Sequence, residues 1–171
     1  NMVDTGGIAI TCFYNSDHGG SLPSEFIRIE NNKIKGYGKR DMVGGIKIVV
    51  PCETEKEWPV VVYGVEIKNN ELIGGGYGDV VRQHQMYVPD CAIHFESEIK
   101  RVPAKAKSTI RSILVSENTI KEWGTGLYVG EQWRSSSLYH LNYSLYSDIF
   151  SYKNTIEDCK TAVSDVHNAL K

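Results

Sequence analysis

The sequence predicts a mainly β domain of the α+β kind. The expected body is an antiparallel β-sandwich or barrel-like fold with two duplicated hairpin units, closed by one C-terminal amphipathic helix. Three observations carry this expectation. The chain aligns with itself at an offset of 38 residues, its apolar segments are short and separated by Gly and Asn, and one stretch near the end has helical spacing. With 171 residues it is expected to form a single domain, 1–171, large enough to bury its own core.

The duplication pairs 29–51 with 67–89 without a gap, and nine of 23 positions are identical. They are Ile29/Ile67, Asn31/Asn69, Asn32/Asn70, Gly36/Gly74, Gly38/Gly76, Asp41/Asp79, Val43/Val81, Val50/Val88 and Pro51/Pro89. These residue types have backbone meaning. Asn tolerates the positive φ of a tight turn, so Asn-Asn between apolar segments suits a hairpin. Gly-x-Gly allows a bulge or a close backbone approach. Proline cannot donate to a ladder, so Val-Pro suits a strand end. Each copy therefore reads as strand, Asn-Asn turn, Gly-x-Gly strand and a closing strand. A further echo at Glu117-Asn118-Thr119-Ile120-Lys121, followed by Gly124-Thr125-Gly126, needs insertions to align.

Around the repeats, residues 7–14 read as a strand, and the β-branched run 60–67 as a strand buried on both faces. Residues 91–99 alternate, with Ile93, Phe95 and Ile99 on one face and His94, Glu96 and Glu98 on the other. Further strands are expected at 108–116, 126–133 and 138–149. Near the end, Asn154 and Glu157 have the spacing of a capping box. Ile156, Cys159, Val163, Val166 and Leu170 then recur at helical intervals, which predicts a helix at about 155–170.

Composition excludes several classes. Nineteen basic against 21 acidic residues, a net charge of -2, argue against nucleic acid as a partner. No apolar run is long enough to span a bilayer, and no signal peptide is visible, so location stays open. Cys12, Cys52, Cys91 and Cys159 contain no Cys-x-x-Cys pair, which excludes a zinc ribbon and a thioredoxin-type motif.

Four groups of residues are candidates for chemistry. In Asp17-His18-Gly19-Gly20-Ser21, a carboxylate beside His18 would orient a general base; the same glycines also suit a plain solvated turn. His84, Cys91 and His94 carry zinc-type ligands within eleven residues, although Cys91 and His94 fall on opposite faces of one strand. Gly74-Gly75-Gly76-Tyr77-Gly78-Asp79 lacks the third glycine of a dinucleotide loop and leads into another strand, which the repeat itself explains. The fourth group is aromatic. Ten tyrosines and three tryptophans against four phenylalanines favour partly exposed binding surfaces. Tyr37, Trp58 and Tyr77, with Asp41 and Asp79, offer stacking faces and hydrogen-bonding groups for sugar hydroxyls; Trp123, Tyr128 and Trp133 cluster downstream.

Residues 19–66 also carry a pattern that resembles a repeat module of some invertebrate mannose-binding lectins. The matching pieces are Gly20-Ser21-Leu22-Pro23, Gly36-Tyr37-Gly38-Lys39-Arg40, Lys47 to Pro51, and Val62-Tyr63-Gly64-Val65-Glu66. The lysine is displaced by one from that module's Gly-Lys-Val, the doubled glycine is absent, and 38 residues is a short period for it. The resemblance implies sugar binding.

The leading functional expectation is a non-catalytic binding module for a glycan or a protein partner, with no cofactor. A small hydrolase or transferase built on His18 is the alternative, and a structural or assembly subunit forming a homo-oligomer is the third.

Overall fold

The computed structural model describes residues 2–4, 7–11, 24–35, 45–52, 62–75, 80–81, 87–88, 91–99, 110–130, 146–165 and 168–171. The strands fall into three large sheets. The first holds β1 (Met2–Asp4), β5 (Lys33–Lys35), β8 (Glu71–Ile73), β13 (Thr119–Lys121) and β16 (Thr155–Glu157). The second holds β2 (Ile8–Thr11), β6 (Ile46–Cys52), β11 (Cys91–Ile99), β14 (Thr125–Val129) and β17 (Thr161–Asp165). The third holds β3 (Ser24–Glu25) and β4 (Arg28–Glu30) in one layer, then β7 (Val62–Lys68), β12 (Ile110–Ser116) and β15 (Tyr146–Tyr152). A small antiparallel pair, β9 (Val80–Val81) with β10 (Tyr87–Val88), is inserted between β8 and β11.

The chain visits the first, second and third sheets in turn and then returns to the first. Every pairing within the three sheets is parallel. The molecule is therefore a three-sided parallel solenoid, with each circuit stacked on the one before. This overturns the antiparallel sandwich with hairpin units. Asn31-Asn32 does not fold the chain back on itself; it turns a corner of the coil, and the copy at 69–70 lies directly above it. The offset of 38 is the one at which β4 faces β7 and β5 faces β8, pairing Ile29 with Ile67 and Ile34 with Leu72.

That corner explains the local sequence. Asn31, Asn69, Glu117 and Lys153 all have left-handed φ of 53–57°. The residues after them, Asn32, Asn70, Asn118 and Asn154, form a ladder up the inside of the corner. Asn70 Oδ1 accepts from the backbone N–H and the side-chain amide of Asn32, both at 3.0 Å. Asn118 Oδ1 accepts likewise from Asn70 at 2.9 Å, and Asn154 Oδ1 from Asn118 at 2.9–3.0 Å. The Nδ2 groups also donate to carbonyls of the third sheet, Ile29, Ile67 and Val115. Buried backbone groups at a sheet corner have no strand partner, and the amides satisfy them.

Inside, one residue type faces its own kind in each successive coil. Ile34, Leu72, Ile120 and Ile156 stack in the first sheet; Ile46, Ile93, Leu127 and Val163 in the second; Val65, Ile113 and Ile149 in the third. Most are fully buried. β7 is buried on one face only: Val62, Val65 and Ile67 point in, while Tyr63, Glu66 and Lys68 are half-exposed. Trp123 belongs to this core, its indole N–H donating to the Leu72 carbonyl at 3.1 Å.

The expected C-terminal helix is absent from the described residues, which instead form β16, a turn and β17. Ile156, Val163 and Leu170 are seven apart because each supplies the inward residue of one side of the last coil. Ile156 pairs with Ile120, Val163 with Leu127, and Leu170 bridges Ile149. Cys159 sits in the turn between the strands, its thiol donating to the Glu157 carbonyl at 3.5 Å. Asn154 is the last rung of the ladder rather than a helix cap, and Glu157 pairs with Lys121 at 2.6 Å. No helix in the described residues is long and apolar enough to cross a membrane.

Candidate functional site

Chain length between strands is distributed unevenly around the coil. The step from third to first sheet is always two residues: 31–32, 69–70, 117–118 and 153–154. Steps that begin or end on the second sheet vary widely. They comprise 5–7, 36–45, 74–90, 122–124 and 158–160 on one side, and 12–23, 53–61, 100–109 and 130–145 on the other. Insertions in a solenoid gather on the face that carries recognition, because they leave the stacked core untouched. The outer face of the second sheet is therefore the candidate site.

Alternation along β6, β11 and β14 builds its floor. Ile46, Ile48, Ile93, Phe95, Leu127 and Val129 point into the core. Lys47, His94, Glu96 and Tyr128 consequently point away from it. Lys47, His94 and Tyr128 lie opposite one another across three successive coils, with Ser164 next in the row. Lys47 Nζ stands 2.5 Å from Glu96 Oε2, two residues beyond His94 on β11. The His94 and Tyr128 rings meet edge to face, 4.9 Å between centroids at 80°. His94 Nε2 lies 3.0 Å from the Gly130 carbonyl, an acceptor only, so the proton of that ring is placed on Nε2.

These groups face outward yet are buried. The Glu96 side chain is 0% exposed and that of Lys47 18%; His94 and Tyr128 are buried as well. Removing two charges from water is costly, and an apolar pair of similar volume usually holds a fold equally well. An amine, a carboxylate, an imidazole and a phenol gathered here supply acid–base and hydrogen-bonding groups on one rigid floor.

Of the residues singled out from the sequence, Asp17, His18, Tyr37, Asp41, Trp58, Tyr77, Asp79 and His84 lie outside the described residues. By position, Tyr37 and Asp41 fall between β5 and β6, Trp58 between β6 and β7, and Tyr77 and Asp79 between β8 and β9. Each of these segments is a step bordering the second sheet. Cys91 and His94 are both on β11, with parity placing them on opposite faces. No group of three potential metal ligands occurs among the described residues. The glycine run is explained at Gly74, where a Cβ would stand 2.1 Å from the Glu122 carbonyl oxygen of the next coil.

Sequence reasoning placed His94 and Glu96 on one face but did not join them to Lys47 and Tyr128. The signal needed was the pairing of β6 with β11, Lys47 opposite His94, which the offset of 38 does not provide. No family model matches this chain, and no curated protein or solved structure matches it either. The lectin-like pattern at 19–66 thus rests on its short motifs, of which Lys47 to Pro51 fall on β6 and Val62 to Glu66 on β7.

Proposed function

We infer that the chain is a binding module whose ligand is held by the variable steps that border the second sheet, and that the ligand is a glycan. One observation carries the reading: every step of variable length borders that sheet, while the opposite corner is held to two residues throughout. The aromatic and acidic candidates Tyr37, Asp41, Trp58, Tyr77 and Asp79 all fall in those steps. An extended polymer suits a face that repeats at about 4.8 Å per coil. The test is a glycan array probed with the wild-type chain, followed by affinities for Trp58→Ala and Tyr77→Ala. The reading expects at least one glycan to be retained and both variants to bind it at least tenfold more weakly. An empty array, or variants that bind as the wild type does, would sink it.

A second reading, a hydrolase or transferase, draws on the buried Lys47–Glu96 pair beside His94. Here His18, the general base expected from the sequence, would exchange protons with a bound sugar, and the buried pair would hold the floor rigid. Mass spectrometry of a retained oligosaccharide distinguishes the two. Shortened or transferred products that vanish in His18→Ala favour the enzyme; an unchanged oligosaccharide favours the binding module.

A further inference from the structure

The third sheet carries an anomaly of its own. Each of its layers has a bulge at the same place, where two consecutive residues face outward and the second has left-handed φ. The four residues there are Phe26 (φ 57°), Gly64 (67°), Ser112 (54°) and Asp148 (54°). Glycine and aspartate suit this conformation; a phenylalanine does not. Phe26 is also 77% exposed. The fold thus keeps a large aromatic ring in an unfavourable backbone conformation and in water, at a site where the next coils manage with small or polar residues. Strain of this kind collects where function requires it.

Phe26 is not isolated. Its ring meets the edge of Tyr63 at 6.1 Å and lies against Gly64, where a Cβ would stand 3.4 Å from the Phe26 ring. Across the sheet, Phe150 and Tyr152 are 44% and 45% exposed. Three of the four exposed large apolar side chains among the described residues are therefore aromatics of this one face. Arg111 lies over the Tyr63 ring at 5.5 Å from its centroid, Lys171 over Phe150 at 5.6 Å and Lys153 over Tyr152 at 5.9 Å, so a cation takes one face of each of these rings and leaves the other for a ligand.

We propose that the outer face of the third sheet is a second ligand surface, a stacking platform for an uncharged oligosaccharide that spans from Phe26 and Tyr63 to Phe150 and Tyr152. Two features select this occupant. The charges of the face balance: Arg28 pairs with Glu66 at 3.2 Å, Lys68 with Glu117 at 3.6 Å and Lys171 with Asp148 at 2.6 Å, while Arg111 and Lys153 are offset in number by Glu25 and Glu30, so it favours neither sign of ligand. Four layers of strands up to seven residues long give a face of roughly 450 Å². At about 4.8 Å per layer, the four layers match the spacing of successive sugar rings in an extended chain. Sugar rings stack their C–H faces on aromatic rings, and their hydroxyls meet the flanking cations.

The probes are soluble neutral polysaccharides, mannan, mixed-linkage β-glucan and arabinoxylan, cast into native gels. The wild type, Phe26→Gly, Phe150→Ala and Trp58→Ala are run through each, and thermal unfolding is recorded in parallel. The proposal expects retardation by at least one polysaccharide. It expects a tenfold or greater loss in Phe26→Gly and Phe150→Ala, with Phe26→Gly unfolding at or above the wild-type temperature. No retardation by any of the three, or a marked drop in the unfolding temperature of Phe26→Gly, overturns it. Binding lost only in Trp58→Ala overturns this surface and leaves the second-sheet reading standing. A wild-type dimer in sedimentation velocity that Phe26→Gly turns into a monomer also overturns it, in favour of self-association.

Discussion

Replacing Asn118 by alanine tests the corner ladder where it is most loaded. Asn118 Oδ1 accepts from the Asn70 backbone N–H and its Nδ2 donates to the Ile67 carbonyl, both at 2.9 Å and both buried. The alanine variant leaves these two backbone groups without their partners. At about 1–3 kcal/mol for each buried unsatisfied group, the loss is roughly 3–4 kcal/mol. Asn32, at the end of the described ladder, is a control of the same chemistry. Its side chain donates only to Asn70 Oδ1, which keeps the Asn32 backbone N–H. Asn32→Ala therefore costs about 1 kcal/mol. For a chain of this length about 2–4 °C accompanies each kcal/mol, so Tm falls by about 10 °C in the first variant and about 3 °C in the second. Far-UV circular dichroism during heating, with urea unfolding as a check, reads both. Equal losses within about 2 °C would refute the argument that the ladder stabilises by satisfying backbone groups.

Three further outcomes follow from the same structure. Gly74→Ala forces a Cβ against the Glu122 carbonyl while Gly74 N–H donates to Lys121, so urea unfolding should show a loss of about 2–3 kcal/mol. Lys47→Met removes the ammonium that stands 2.5 Å from the fully buried Glu96 carboxylate and should cost about 3 kcal/mol in urea unfolding. The Lys121 ammonium is raised above 10.5, first by its hydrogen bond and then by its charge attraction to Glu157. A group raised on folding contributes below its unfolded value and loses that contribution as pH climbs through the folded one. The small Tm gap between wild type and Lys121→Met should accordingly close above pH 10.5.

The sequence showed the spacing of the coil without its direction. Asn31-Asn32 and Asn69-Asn70 stand out because both ladder positions and both left-handed positions are asparagine. The next two corners have Glu117-Asn118 and Lys153-Asn154, and the offsets change to 48 and 36, so a gapless comparison passes over them. Strand alternation cannot separate parallel from antiparallel pairing, since either places every second residue inside. Asn at positive φ suits a hairpin tip and a coil corner equally. The false helix arose the same way: in the last coil an apolar residue turns inward at 156, 163 and 170, every seven positions, and imitates helical spacing. For the site, His94 and Glu96 were visible as one polar face of β11. Their neighbour Lys47 comes from a strand 47 positions earlier, across an insertion whose length the repeat does not reveal.

A parallel three-sided coil that brings the second sheet's polar row together leaves a specific pattern of contacts in solution. Cross-strand amide-to-Hα nuclear Overhauser effects should link the first-sheet strands in parallel register, Glu71 with Lys33 and Thr119, Leu72 with Ile34 and Ile120. In the second sheet they should join the neighbourhoods of Lys47, His94 and Tyr128. Contacts between Glu30 and Lys33 across Asn31-Asn32, with none between successive coils, would contradict the coil and dissolve the site built on it.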